Sequence, residues 1–325
     1  MRRAHLLVLA TLVAPTLAVA QSTPAYPARP VRIVVPFPAG GPGDLVGRAI
    51  AQRLTDAWGQ PVLIDNRGGA GGSIGMEVVV RALPDGYTLG VGSVGSLVLS
   101  PAVDPKLRYD PTRDVTPIAL VAATQYVLAV HPSVPAKSVQ DLLRLAREKK
   151  GRLNYASSGV GSISHMLTEL IQSAAGVEMV HIAYKGTGPA ITALLGGEID
   201  LCFVAVSSAD EPAKAGRLRL LAASGARRVE AMRHLPTLIE AGLKMPPVEG
   251  SYGLVGPAGL PRDVVTRINT SVNAALKTPE FRGRLEQQGF EPVPVSTPED
   301  YAKQLRDGVE VFRQVVKRSG IKPDA

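Results

Sequence analysis

The fold is decided by residues Val31 to Asp44, which read V-R-I-V-V-P-F-P-A-G-G-P-G-D. An apolar run stops at Pro36 and a loop of proline and glycine follows, which predicts a strand that ends in an open loop. Asp44 is a favourable N-cap, so a helix is expected to begin there. Apolar residues recur at helical spacing up to Gly59, where the helix is expected to end. They predict its inward face: Val46, Ala49, Ile50, Leu54 and Ala57.

The loop between this strand and this helix is suited to an anion. A strand that enters a helix through glycines leaves backbone N–H groups in the loop, and the positive end of the helix dipole lies behind them. The pattern recurs, because strand Pro61–Asp65 leads into Arg67–Ser73 and strand Tyr87–Val91 leads into Gly92–Ser96. Further copies are predicted with loops at 157–162, 184–188 and 205–208. Ser73 is predicted to cap its helix and to turn three apolar residues inward, Ile74, Val78 and Leu83.

The strand–loop–helix units form two groups, around 31–100 and 153–208, which predict two α/β lobes, each with a mostly parallel sheet. A cleft lined by the Gly and Ser loops is expected between the lobes. Segments near 124–132 and 219–228 are expected to cross between them. The predicted organisation is a signal peptide at 1–20, a first lobe at 27–125, a second lobe at 126–227, and a return to the first lobe at 228–325.

The N-terminus is typical of an export signal. A short basic segment precedes the apolar run Leu6–Leu17, and Ala18-Val19-Ala20 forms a cleavage site. That run is shorter than the roughly 20 residues a membrane span needs, although an uncleaved anchor is the alternative. Cleavage after Ala20 predicts a periplasmic protein and lowers the formal charge of +8 by the two arginines of the signal. Aromatic residues make up only 4% of the chain, which argues against a nucleic-acid platform.

The sequence lacks the patterns of the common catalytic and cofactor sites. It has no H-E-x-x-H, no histidine pair at metal-ligand spacing, no P-loop and no G-x-S-x-G. The run Gly69–Gly75 has the spacing G-x-G-x-x-x-G, a weak match to a dinucleotide loop. The single cysteine, Cys202, lies in an apolar strand and is interpreted as structural. We therefore expect no enzyme activity, no metal and no cofactor.

Three further side chains are candidates for contact with an anion. His165 opens a helix after a serine-rich loop. It is interpreted either as a donor to the ligand or as a residue on the helix surface. Lys185 is interpreted either as a donor to an anion or as a solvated residue at the rim of the cleft. Arg67 is interpreted in the same two ways, with the addition that an arginine in a glycine loop often hydrogen-bonds the carbonyls of its own loop.

Taken in order, several motifs resemble one family over Tyr26 to about Ile321: the Bug-type (TctC-like) extracytoplasmic solute receptors of tripartite tricarboxylate transporters. They are Y-P-x-R-P at Tyr26–Pro30, V-P-F-x-x-G-G at Val35–Gly41, D-N-R-x-G-A-G-G at Asp65–Gly72, P-D-G-Y-T-L at Pro84–Leu89, Y-D-P at Tyr109–Pro111, Y-K-G at Tyr184–Gly186 and L-L-G-G-x-I-D at Leu194–Asp200. The resemblance implies a two-lobed α/β fold of the type II periplasmic-binding-protein class. It also implies a monomeric receptor that closes on a small organic carboxylate and delivers it to separate membrane permease subunits.

The resemblance also implies which residues contact the ligand. They are Phe37, Ala39, Gly40, Gly72, Ser73, Ser93, Ser96, Ser157, Ser158, Ser162, His165 and Ala205. Family members commonly have F-D-N where this chain has Phe203-Val204-Ala205, and the missing Asp makes an amino-acid ligand unfavourable. A plain mono- or dicarboxylate, or a more apolar acid, is expected instead. Two alternatives remain at this point: a ligand-sensing partner of a membrane signalling protein, and an exported α/β hydrolase.

Overall fold

The computed structural model describes residues 26–104, 106–149, 151–319 and 321, so the predicted signal peptide lies outside the described residues. The strands are β1 Val31–Val35, β2 Val62–Asn66, β3 Thr88–Ser93, β4 Val115–Thr124, β5 Tyr126–Val130, β6 Asn154–Ser157, β7 Val180–Ala183, β8 Leu201–Ala205, β9 Arg219–Ala223, β10 Gly250–Pro257 and β11 Glu291–Pro292. The α-helices are α1 Pro42–Trp58, α2 Ser73–Val80, α3 Ser100–Val103, α4 Val139–Lys149, α5 Ile163–Ala175, α6 Thr187–Leu195, α7 Val206–Lys214, α8 Arg262–Leu276, α9 Pro279–Gln287 and α10 Pro298–Ser319.

The strands form two mixed sheets. The first has the order β11-β4-β10-β3-β1-β2, and the second has the order β7-β6-β8-β5-β9. Only β1, β2 and β3 run parallel in the first sheet, and only β6, β7 and β8 do so in the second. The prediction of mostly parallel sheets is therefore wrong in this detail, because the strands next to the crossing segments, β4, β5, β9 and β10, pair antiparallel.

The chain crosses between the two sheets at Gln125, which separates β4 from β5, and returns at β10. Helices α8 and α10 pack on β4 of the first sheet. The segment after β9 stays with the second sheet, since Val229, Met232 and Leu235 belong to its core. The predicted domain limits remain a prediction. No helix in the described ranges has the length and apolar character needed to cross a bilayer.

Helix α1 begins two residues before the predicted start. Gly41 is the N-cap and Pro42 occupies the first turn, where its missing N–H costs nothing. The prediction that Asp44 is the N-cap is wrong. The inward face is confirmed at Val46, Ala49, Ile50 and Leu54, which are buried. Ala57 is exposed instead, because it lies in the last turn before the C-cap Gly59.

Asp44 is 2% exposed in the first turn of α1. Its Oδ2 accepts from the Gly40 N–H at 2.9 Å and from Arg48 Nε at 2.9 Å, and its Oδ1 accepts from Asn66 Nδ2 at 3.0 Å. Burial alone would raise the pKa of this carboxyl group. The hydrogen bonds from Arg48, Gly40 and Asn66, with the charge of Arg48, outweigh burial and lower the pKa. Asp44 thus fastens the first loop to α1 and to β2.

Helix α2 also differs from its prediction. A turn of 3-10 helix at Ala70–Gly72 precedes it and Gly72 is the N-cap, so the Ser73 hydroxyl donates to the Ala70 carbonyl instead of capping α2. Ile74 is 52% exposed and Leu83 is 75% exposed, so both inward assignments are wrong, while Val78 packs on the core. The buried face of this short helix is formed by Met76 and Val79, one turn apart.

We predict that Asp44→Asn lowers the free energy of unfolding by about 1–3 kcal/mol at pH 7, because an amide NH₂ then faces donors in a buried site. The folded-state pKa is lowered, so the contribution of Asp44 is fully present above its unfolded pKa and is lost as the pH falls through the folded pKa. The difference between native protein and variant should therefore shrink below about pH 4. Urea unfolding at several pH values measures this difference in the free energy of unfolding, and the exposed Asp56→Asn in the same helix is the control. A difference that does not change with pH would contradict the prediction.

Candidate functional site

A cleft lies between the two sheets where the parallel strands end. Loops after β1, β2 and β3 face it from the first sheet, and loops after β6 and β7 face it from the second. The cleft, together with its opening to solvent, has about 400 Å³ free of protein atoms. Its lining residues are Phe37, Pro42, Gly43, Gly71, Ser93, Val94, Gly95, Tyr126, Ser158, Ser162, Ile163, Thr187, Gly250, Ser251 and Tyr252. The predicted cleft with Gly and Ser loops on both sides is thus present.

The loops of the two lobes touch across the cleft, backbone against backbone. A Cβ atom at Gly71 would lie 2.3 Å from the Val160 carbonyl oxygen, and one at Gly159 would lie 2.5 Å from the Gly71 nitrogen. Both glycines have positive φ, +62° and +120°. On the same side of the molecule Gly186 lies against the Pro38 ring. The structure therefore shows the lobes in a closed arrangement that glycine alone permits at this contact.

Two tyrosine hydroxyl groups meet at the cleft where the chain crosses between the sheets. Tyr126 opens β5, Tyr252 lies in β10, and their hydroxyl oxygens are 3.2 Å apart. Burial raises the pKa of Tyr252 to about 12. Burial is the largest cause that raises the pKa of Tyr126 well above its ordinary value, and the nearby Tyr252 is the next largest. Both groups stay protonated, and since one hydroxyl donates to the other, the second O–H remains available to a ligand.

Four of the twelve sequence-predicted site residues line the cleft directly: Phe37, Ser93, Ser158 and Ser162. The Phe37 ring lies beside Gly72, where a Cβ atom would be 3.1 Å away. The hydroxyl groups of Ser93 and Ser96 lie 3.2 Å apart, so Ser96 supports the lining residue from behind. Ser162 caps α5 by accepting from the His165 N–H.

The remaining predicted residues lie outside the lining. Ala39 and Gly40 are exposed, Ser73 bonds its own loop, and Ala205 is the buried N-cap of α7. Ser157 is fully buried and its Oγ lies 2.6 Å from His181 Nε2.

The structure also shows where the three candidates for an anion contact lie. His165 is 1% exposed; its Nδ1 accepts from the Gly161 N–H, and its ring stacks on that of His181 with centroids 4.4 Å apart. It therefore shapes the loop before α5 from within the core. Lys185 is exposed. Arg67 pairs with Asp65 at 2.8 Å, so it is held by a carboxylate of its own strand end.

Sequence reasoning missed the tyrosine pair and the far wall formed by Gly250 and Ser251. Tyr126 and Tyr252 are distant in the sequence and follow no motif, so only the folded structure shows that their hydroxyl groups meet. A usable signal existed for Tyr126, because it stands at the predicted crossing near 124–132 and follows the polar Gln125.

The electrostatics of the cleft come from neutral groups. None of the described residues that line it carries a charge. Three helices begin at the lining: α1 at Pro42, α5 at Ile163 and α6 at Thr187. Each directs the positive end of its dipole and its first unpaired N–H groups toward the same space. With the serine and tyrosine hydroxyl groups, these donors suit an anionic or hydrogen-bond-accepting ligand.

The groups that would support catalysis are buried or absent from the described part of the chain. The close Ser157–His181 pair was not expected from the sequence, but the serine is fully buried and accepts from the Gly159 N–H. Burial raises the pKa of the Cys202 thiol to about 12, which fits a structural residue. Among the described residues no group of three or more His, Cys, Asp or Glu is placed to hold a metal ion.

A two-lobed α/β molecule with a cleft at the strand ends belongs to the class of periplasmic binding proteins, and solved structures confirm this fold. The R. palustris protein Rpa4515, solved with adipate, superposes with a TM-score of 0.87 and 34% identity over 92% of this chain and 100% of that chain. MatC from Rhodopseudomonas palustris, solved with bound malate, has a TM-score of 0.84 and 32% identity over 90% of this chain and 100% of that chain.

The chain belongs to the tripartite tricarboxylate transporter family of receptors, whose family model matches residues 46–321. Its relatives include BugT of Bordetella pertussis, which is 32% identical over 302 residues, 93% of this chain and 92% of BugT. The predicted resemblance is confirmed. The family consists of solute receptors, so the chain is a binding protein and the hydrolase interpretation is wrong.

We predict that Gly71→Ala weakens ligand binding about tenfold or more without unfolding the protein, because its methyl group would clash with the Val160 carbonyl and hold the lobes apart. Gly59→Ala is a matched control, since Gly59 has a similar φ of +65° but open space around it. Both variants should lose similar thermal stability. Calorimetry with the small organic acid that most stabilises the native protein measures the affinity; equal affinities in both variants would refute the closure contact.

Proposed function

We propose that this chain is a periplasmic receptor that captures a small carboxylate by closing its two lobes and delivers it to a tripartite tricarboxylate-type transporter. The observation that carries the proposal is the cleft itself, which is uncharged, rich in N–H and O–H donors and bounded by three helix N-termini. A carboxylate accepts from several such donors at once, and no fixed counter-charge is required.

The contributions of the two lobes explain how binding drives closure. Ser93 and the start of α1 belong to the first sheet's lobe, whereas Ser162 and the start of α6 belong to the second. A ligand that touches both sets binds the closed state better than the open state and shifts the population toward it. The Tyr126–Tyr252 pair lies where the chain crosses, so it is positioned to contact the ligand in both states.

Two similar proteins support the ligand class, since one was solved with adipate and the other with malate. Within this class the absence of an acidic residue at the end of β8 argues against an amino acid. Val204 and Ala205 stand there, buried and apolar, and leave an ammonium group without a carboxylate partner. The twelve residues predicted from the sequence remain our proposed ligand-binding set, to which we add Tyr126, Thr187 and Tyr252.

The proposal includes the export of this chain and the delivery of its ligand to a transporter. The basic and apolar segments before Ala20 support secretion with cleavage after that residue, and the family supports a periplasmic location. We infer that a monomer in its closed form docks on separate membrane permease subunits, as a tripartite transporter requires.

We predict that the native protein shows a saturable thermal shift with at least one small carboxylate, and that Tyr126→Phe and Tyr252→Phe each weaken its binding about tenfold, the worth of a hydrogen bond to a charged group. Tyr301→Phe is the matched control, since Tyr301 is equally buried but lies outside the cleft. The screen includes amino acids and nucleotides. Stabilisation by those compounds alone would overturn the carboxylate assignment.

A further inference from the structure

Residues 159–161 of the second lobe lie against the first lobe, and we call them the closure loop. The first two residues of this loop meet Gly71 through their backbones, as described for the cleft. Gly161 meets Ser100 in α3, because a Cβ atom at Gly161 would lie 2.9 Å from the Ser100 Cα atom. The serine on either side of the closure loop lines the cleft. The shape of this loop therefore affects both lobe closure and the ligand site.

Both glycine N–H groups of the closure loop are held by groups that belong to, or contact, a histidine. The Gly161 N–H donates to His165 Nδ1 at 3.2 Å. The Gly159 N–H donates to Ser157 Oγ at 3.1 Å, and that oxygen lies 2.6 Å from His181 Nε2. The two imidazole rings stack with centroids 4.4 Å apart and planes 18° apart. The stacked histidines thus support the closure loop from within the second lobe.

The contact of His165 with the closure loop depends on its protonation state. A ring nitrogen that accepts from a backbone N–H carries no proton, so His165 is neutral in this arrangement. A proton on Nδ1 would place two donors, the ring N–H and the Gly161 N–H, against each other. His181 differs, because the Ser157 hydroxyl can accept from it or donate to it. The contact sensitive to protonation is therefore that of His165.

The ionisable groups around the two rings act in opposite directions on a proton at His165. Tyr155 of β6 stacks on His181 with centroids 4.8 Å apart, and its hydroxyl donates to Glu169 Oε1 at 2.6 Å. Glu169 lies one turn after His165 in α5, and its carboxylate favours a positive ring nearby. Burial opposes that charge, since His165 is only 1% exposed.

The other elements packed on α5 bring apolar side chains to it. These elements are β8, α10 and residues 95–99. Their buried side chains in the shared hydrophobic core include Leu97, Leu201, Phe203, Leu305 and Val309. Glu178 and Lys185, on either side of β7 in the sequence, are exposed.

We propose that His165, supported by His181, is a positioning residue of the receptor, and that ligand binding is coupled to the loss of a proton from His165. In the open state the closure loop is away from Gly71, so the loop has room to accommodate a protonated ring. Closure fixes the loop and requires the neutral ring, and the proton passes to the buffer. Ligand affinity therefore falls as the pH falls through about 6.5, where histidine ordinarily titrates. The inference rests on the proposed function, because it requires a ligand that closes the lobes.

Calorimetry with adipate and with malate tests this coupling between about pH 8 and about pH 6, where carboxylic acids remain largely ionised. We expect the native protein to bind about fourfold more weakly at the lower pH, the factor for one group of ordinary histidine pKa that must be neutral in the complex. Titrations near pH 6.5 in two buffers of different ionisation enthalpy should show about half a proton released per ligand bound.

Substitutions at His165 separate positioning from packing. In His165→Asn the carboxamide oxygen can accept from the Gly161 N–H but does not titrate, so the ratio of its affinities at the two pH values should be close to one. His165→Leu removes the acceptor and should bind more weakly than His165→Asn at the higher pH. His234→Asn, at an exposed position outside the loop, is the matched control and should keep the pH dependence of the native protein.

The outcomes distinguish the inference from the function on which it rests. A native affinity that is constant between the two pH values, or binding without proton release, would overturn the inference and leave a carboxylate receptor. The native pH dependence in His165→Asn would also overturn it, because another group would then lose the proton. Any carboxylate found in the thermal-shift screen can replace adipate and malate. If no carboxylate binds, the proposed function is wrong and the inference is wrong with it.

Discussion

The molecule depends on one close contact, in which the backbone of Gly71 from the first lobe meets the backbone of Val160 and Gly159 from the second. No side chain fits between these loops, so the lobes approach as closely as two peptide backbones allow. One of these loops follows the carboxyl end of β2 in the first sheet, and the other follows the carboxyl end of β6 in the second sheet. The two loops therefore face each other. The contact brings together two loops at the edge of the cleft, one before α2 and one before α5.

The charged groups of this region are arranged around the cleft and not within it. Asp44 is buried in the turn behind the first loop, where hydrogen bonds from Gly40, Arg48 and Asn66 satisfy it. Its charge therefore holds the loop in shape while the surface toward the ligand stays neutral. Such a site avoids the cost of stripping water from a fixed cation in the empty receptor, and the donors that replace the ligand's own water are already oriented by secondary structure.

Much of the fold was predictable from local sequence, because clusters of Gly and Ser after apolar strands specify loops at the edge of a parallel sheet. The C-terminal helix α10 is also encoded locally, since Thr297 and Asp300 form a capping box and Tyr301, Leu305 and Val309 recur on one buried face. Errors arose where two local signals competed. Asp44 looked like an N-cap, but Pro42 already starts the helix, and the carboxylate was free to take a structural role.

The site was less predictable, because its specific features are long-range. The hydroxyl contact of Tyr126 with Tyr252 and the stacking of His165 on His181 each join separate elements and have no spacing signal. His165 followed a serine loop, which suggested a ligand contact, whereas burial directs its Nδ1 to the Gly161 N–H.

Ligand-dependent closure is most directly tested by small-angle X-ray scattering of the mature chain, with and without a saturating amount of the carboxylate that gives the largest thermal shift. We expect the radius of gyration to fall on ligand addition to the value calculated from this structure, in which the loops of Gly71 and Val160 touch. A scattering curve that stays unchanged while calorimetry shows the ligand bound would contradict binding by lobe closure.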